Sequence, residues 1–307
     1  MKMNVTVTER KVKSSDNIHL LYGKVYVPDC EIKGYFHLVH GMTEHGGRYD
    51  SFLRSIAQNG YICFAYDHLG HGRTVNDESE LGFIAESGGW KLLVDDVKIF
   101  ADSVRAEYGD YEYNLFGHSM GSFIVRLNAE KYSEDIKRLI ICGTSGPIAA
   151  APFGLMIIKL LKKIKGSKAY SPFCENLAFG SYLKRTEKLT KYDWLTTDRE
   201  IIKMYAEDKL CNFHFTLSAL YDLVKLNFEC NKKRWYKNVA DKFPMLLISG
   251  EEDPVGNYGK GIKKVKALLS KYGASNVKMI LYPKCRHEIH HDSCKDKMLT
   301  NVLEFLN

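Results

Sequence analysis

Tyr113-Asn114-Leu115-Phe116-Gly117-His118-Ser119-Met120-Gly121-Ser122-Phe123-Ile124-Val125 joins a strand-like run to a helical one through a tight turn. Tyr113 to Phe116 is a short apolar run of the kind that forms a buried strand, and Phe123 to Tyr132 has helical spacing. Between them lies the pattern Gly-x-Ser-x-Gly. A serine at the apex of such a turn needs neighbours without a Cβ, so that the strand and helix backbones can pack closely. The helix then presents its positive end where negative charge would develop on a bound group. The pattern alone is common; in a strand, tight turn and helix it marks Ser119 as a nucleophile candidate.

Working outward, similar apolar runs occur at Tyr35 to Val39, Tyr61 to Tyr66, Leu139 to Cys142, Met245 to Ile248 and Val277 to Tyr282. Helical patterns separate most of them, clearest from Gly89 to Tyr108, with others at Tyr258 to Lys271 and Ser293 to Leu306. This alternation predicts an α/β chain with a mainly parallel sheet and helices on both faces. Ahead of it, residues 4 to 12 and 18 to 27 alternate around Ser14-Ser15-Asp16-Asn17, which reads as an antiparallel hairpin. About 100 residues between Cys142 and Met245 hold no comparable strand and read as several helices. The expected division is a core of residues 1–146 and 236–307 with a helical cap of residues 147–235.

At 307 residues, 45% hydrophobic and 26% charged, the chain can build a large core. Its net charge of +7 raises the question of nucleic acid, but the charge is localised. Residues 147–235 carry 16 Lys and Arg against 9 Asp and Glu, leaving 28 of each elsewhere. A basic cap on a neutral core favours an anionic or lipid surface over nucleic acid. The first cap helix, Leu155 to Lys165, sets Ile157, Leu160, Leu161 and Ile164 against Lys159, Lys162 and Lys163; packing on its neighbours and contact with lipid are both open readings. The eight cysteines form no C-x-x-C pair, and no apolar run reaches secretory-signal or membrane-span length. The expected location is the cytoplasm.

A serine hydroxyl becomes nucleophilic when a histidine accepts its proton, and a carboxylate must orient that histidine. Strand-end positions give the order Ser119, Asp253, His287: Gly250-Glu251-Glu252-Asp253-Pro254 follows one strand run and Cys285-Arg286-His287-Glu288 follows the last. Glu251 and Glu252 compete with Asp253 until geometry decides. An oxyanion needs two preorganised N–H donors. Met120 is the expected source of one, and Met42 of the other, in His40-Gly41-Met42-Thr43-Glu44-His45-Gly46-Gly47-Arg48-Tyr49; His40, Glu44 and His45 read as loop organisers. His287-Glu288-Ile289-His290-His291 matches the H-E-x-x-H zinc pattern, which works only on a helix. Pro283 before it and a Ser293/Asp296 capping box after it predict a loop, with no metal and with His290 and His291 facing solvent. Asp67-His68-Leu69-Gly70-His71-Gly72-Arg73 reads as a structural turn.

With H-G-M-T-E-H-G-G-R-Y, D-H-L-G-H-G-R, G-H-S-M-G-S, E-D-P-V-G-N-Y-G-K-G and C-R-H-E in this order, the chain resembles the monoacylglycerol lipase and lysophospholipase-like α/β-hydrolases, particularly bacterial ones, over essentially its whole length. The resemblance implies an α/β-hydrolase fold with a cap over the triad Ser119, Asp253 and His287, oxyanion donors Met42 and Met120, no cofactor, and a small-molecule acyl ester as substrate. Leu69 departs from the Arg usual in that turn. Activity on small esters, prolyl aminopeptidase-like activity or perhydrolysis on the same scaffold stays open, as does a non-catalytic binding role.

Overall fold

The computed structural model describes residues 3–307. The alternating N-terminal segments form β1 (Val5–Lys13) and β2 (Leu20–Pro28), paired antiparallel with Val5 opposite Pro28. The turn between them is fixed by Asp96, whose carboxylate accepts from Ser14 Oγ at 2.9 Å and from Ser15 N at 2.7 Å. The remaining strands are β3 (Gly34–Val39), β4 (Tyr61–Tyr66), β5 (Tyr113–His118), β6 (Arg138–Cys142), β7 (Met245–Gly250) and β8 (Val277–Tyr282). They complete an eight-stranded sheet of order β1-β2-β4-β3-β5-β6-β7-β8, parallel from β4 to β8.

The apolar runs are continuous because the central strands are buried on both faces. Side chains alternate between two apolar layers. Leu115, Leu139, Ile141, Met245 and Leu247 enter one, with α2 (Gly89–Tyr108) and α3 (Met120–Lys131). Phe36, Phe116, Ile140, Leu246 and Ile248 enter the other, with α1 (Asp50–Ala57) and α10 (Lys295–Leu306). Burying each large side chain contributes on the order of 2 kcal/mol. α9 (Lys260–Lys271) crosses from β7 to β8 on the face of α2 and α3, burying Ile262, Val265 and Leu269.

The segment between β6 and β7 carries α4 (Ala151–Lys165), α5 (Pro172–Phe179), α6 (Arg199–Glu207), α7 (Leu217–Cys230) and α8 (Lys233–Val239). α8 crosses the expected boundary at 235/236, and Trp235 Nε1 donates to Arg126 O of α3 at 2.5 Å. α4 differs from the sequence expectation. Ala151, Leu155 and Ile158 face inward, and Phe153, Met156, Leu160 and Ile164 form a stripe on the opposite side, each about 60% exposed or more. At 100° per residue, Lys159 and Lys163 lie beside that stripe rather than across from it. The capping box before α10 does not form: the helix begins at Lys295 behind Cys294, and Ser293 Oγ sits 3.5 Å from Cys285 Sγ.

Candidate active site

β5 hands the chain to α3 through Ser119, whose φ of 54° and ψ of −121° are sterically costly for a residue with a Cβ. Surrounding packing holds it there. Ser119 N donates to Cys142 O at 3.0 Å, and Ser122 N to Ser119 O at 2.9 Å. A Cβ on Gly121 would lie 2.1 Å from Val39 O, and one on Gly117 would lie 2.4 Å from Gly121 O. Both glycines are therefore required by close backbone approach. From Tyr113 to Met120 every residue is buried except Ser119, which lines a cavity of about 690 Å³.

Geometry separates the three acidic candidates. Glu251 and Glu252 are exposed, whereas Asp253 is fully buried and its Oδ1 lies 3.0 Å from His287 Nδ1. Val255 N (2.8 Å) and Ser249 Oγ (3.1 Å) donate to the Asp253 carboxylate. Burial alone would raise the Asp253 carboxyl; the His287 charge and these donors outweigh it and hold it below the usual value. For His287, burial disfavours the imidazolium, but Asp253, backed by Glu288 and Glu44, raises its pKa overall. His287 Nε2 is buried and has no hydrogen-bond partner among the described residues, so no bond joins it to Ser119 Oγ. Such contacts commonly tighten only when substrate arrives.

The loop after β3 abuts the serine: a Cβ on Gly41 would lie 3.0 Å from Ser119 Cβ. Gly41 N donates to Glu44 Oε1 at 2.6 Å, while Met42 N and Met120 N meet no acceptor among the described residues. Sequence reasoning placed Glu44 as a loop organiser but missed how far its connections reach. Tyr49 OH donates to Glu44 Oε1 at 2.8 Å and also contacts His118 Nδ1. Arg48 Nη1 donates to Glu44 Oε2 at 2.7 Å, and Arg48 also grips Glu288 through both Nη1 and Nη2, at 2.5 and 2.7 Å. Burial would raise the Glu44 carboxyl, but His118 and Arg48 hold it well below the ordinary range. The i, i+4 spacing of Glu44 and Arg48 was the available signal; the distant Glu288 had none.

His287 to His291 lies in a loop, as expected from Pro283. His290 does not face solvent: it is 6% exposed and its ring stacks on Tyr49, 4.4 Å between centroids, while His291 is half-buried. The donor atoms of Glu288, His290 and His291 converge within 4.8 Å, but Arg48 already occupies Glu288 and its charge opposes a cation there. The Asp67 turn is structural in geometry. Asp67 accepts from Gly46 N and Arg73 N, both at 2.8 Å, and Leu69 is buried in the apolar layer.

Met42, Thr43, Ser119 and Met120 line the cavity from the core. Phe123, Ile158, Phe179 and Leu223 are among its apolar walls, and Phe153 and Leu177 stand exposed at its margin. The mostly apolar lining suits a ligand with an apolar body.

The profile of the Hydrolase_4 family, described as "Serine aminopeptidase, S33", matches residues 31–294. A monoacylglycerol lipase of Mycolicibacterium smegmatis is 23% identical over 98% of this chain and 97% of its own. The structure of a thermostable carboxyl esterase from Bacillus coagulans, in complex with glycerol, is 30% identical, superposes with a TM-score of 0.92 and covers 99% of both chains. A soluble variant of monoglyceride lipase from Saccharomyces cerevisiae shares the fold at 17% identity and a TM-score of 0.74, over 100% of this chain and 96% of its own. A serine held in a strained turn between β5 and α3 of this sheet gives the assignment its physical basis: the chain belongs to the Hydrolase_4 family and is a monoacylglycerol lipase-like serine α/β-hydrolase.

Proposed function

We propose that the protein hydrolyses carboxylic esters of monoacyl lipids, monoacylglycerol or lysophospholipid-like, through an acyl-enzyme on Ser119. The carrying observation is Ser119 in its strained turn, exposed to an apolar cavity of about 690 Å³. Ser119 Oγ attacks the ester carbonyl carbon while its proton passes to His287 Nε2. Asp253 holds the imidazole by Nδ1 and stabilises the imidazolium. The Met42 and Met120 N–H groups receive the tetrahedral oxyanion. Collapse breaks the carbonyl carbon to alkoxy oxygen bond, and the alcohol leaves with the proton from His287. Water then repeats the sequence and releases the fatty acid.

In this reading residues 147–235 form the cap. The outward stripe Phe153, Met156, Leu160 and Ile164, with Phe173 and Leu177 of α5 also exposed and Lys159 and Lys163 alongside, suits the surface of a membrane that stores the substrate. Among the described residues, no helix is long and apolar enough to cross a membrane. Eight free thiols fit a reducing compartment, and the cytoplasm is the proposed location.

Turnover across acyl chain length on monoacylglycerols, lysophospholipids, acetyl esters and Pro-amides tests the substrate class. The reading predicts highest kcat/KM on medium or long monoacyl esters. Highest turnover on acetyl esters would indicate a small-ester carboxylesterase instead, and on Pro-amides an aminopeptidase.

A further inference from the structure

Thr43, next to the proposed donor Met42, has a φ of 52°. A β-branched residue there is a true outlier, because its Cβ crowds the following peptide, and it persists only where its surroundings over-determine it. Those surroundings come from the segment proposed as the cap. Tyr205, on α6 and 162 residues downstream, donates its hydroxyl proton to Thr43 O at 3.0 Å and contacts Thr43 Oγ1 at 2.9 Å, for which the threonine must be the donor. Asn212 N donates to the same carbonyl at 3.3 Å. Two further contacts fix the loop to α6 and its end: the Arg48 guanidinium lies 4.8 Å from the Tyr205 ring centroid, and His45 Nε2 lies 2.9 Å from Asp208 Oδ2. Thr43 and Tyr205 are both buried.

We propose that Tyr205 is a positioning residue: by holding Thr43 in the left-handed conformation it aims the Met42 N–H at the oxyanion, so the hole is complete only while α6 is docked. The proposal rests on the reading of Met42 as an oxyanion donor. Without the Tyr205 hydroxyl, Thr43 can relax toward negative φ and swing the Met42 peptide away from Ser119. A glycine at 43 occupies positive φ without crowding and needs no such grip.

The test is steady-state kinetics on a soluble short-chain ester for wild type, Tyr205→Phe, Thr43→Gly and the double variant, each checked for folding by circular dichroism. Deleting an oxyanion donor costs about 10²- to 10³-fold in kcat, so misaiming one should cost Tyr205→Phe about tenfold or more, with KM within about twofold. Thr43→Gly in that background should restore most of the lost kcat, which a packing role for Tyr205 would not allow. An unchanged kcat in folded Tyr205→Phe, a change confined to KM, or a double variant as slow as Tyr205→Phe would overturn the proposal. Loss of wild-type ester turnover in Ser119→Ala secures the ester reading separately, so the two can fail independently.

Discussion

Arg48 and Glu288 stand 240 residues apart in sequence and meet in a buried two-point contact, with Nη1 2.5 Å from Oε1 and Nη2 2.7 Å from Oε2. The same guanidinium reaches Glu44, so one cation joins the loop of Met42 to the loop of His287. Arg48→Met would leave two buried carboxylates without their counter-charge. Breaking a buried pair from one side costs about 3 to 5 kcal/mol. Thermal unfolding should therefore show a fall of several degrees in Tm, and an unchanged Tm would remove the network from the stability account.

The acid limb of ester hydrolysis should follow His287, because only the neutral imidazole accepts the serine proton. Its pKa is raised in the folded protein against the opposing effect of burial, chiefly by Asp253, so kcat/KM should fall with a midpoint above the ordinary value of 6.5. Asp253→Asn removes that charge and leaves burial, so the limb should move to lower pH on a much slower enzyme. The same shift makes protonated His287 stabilising: the contribution is complete below the unfolded value and is lost as pH rises through the folded one. An acid limb at or below 6.5 in wild type would contradict the raised His287 pKa, and a limb that Asp253→Asn leaves unmoved would contradict the assignment of His287 as base.

Leu160 sits near the centre of the outward stripe on α4, far from the inward-facing Leu155 and Ile158. Leu160→Glu places a charge where the account puts lipid. Sedimentation with anionic vesicles should show weaker binding by about tenfold, and turnover of vesicle-borne monoacylglycerol should fall, while hydrolysis of a soluble short ester changes by less than twofold. Equal binding of variant and wild type to vesicles would end the membrane reading of this face.

The sheet was legible because its central strands are apolar on both sides, and the runs at Tyr61–Tyr66 and Val277–Tyr282 coincide with β4 and β8 residue for residue. The strained turn at Ser119 was legible because it demands glycines at 117 and 121, and the proposed pair of His287 and Asp253 because both follow strand ends, where their side chains meet at 3.0 Å. Which carboxylate faces the histidine needed three dimensions: Glu251 and Glu252 are exposed, whereas Asp253 is buried beside His287. Whether the apolar face of α4 packs or faces outward stayed open in the sequence, because an apolar residue on a helix carries no label for the side that packs; Leu160 and Ile164 are exposed. His290 was misplaced for the opposite reason, a polar residue taken for a solvated one although Tyr49 covers its ring. The links from α6 to Thr43 span 162 residues and leave no periodic trace.

Labelling by a fluorophosphonate, read by mass spectrometry alongside hydrolysis of a monoacylglycerol, decides whether Ser119 is the nucleophile. A single adduct is expected on Ser119 in wild type, with none in Ser119→Ala and turnover there reduced by at least about 10³-fold. An Ser119→Ala variant that keeps wild-type turnover, or an adduct at another residue that abolishes activity, would contradict it.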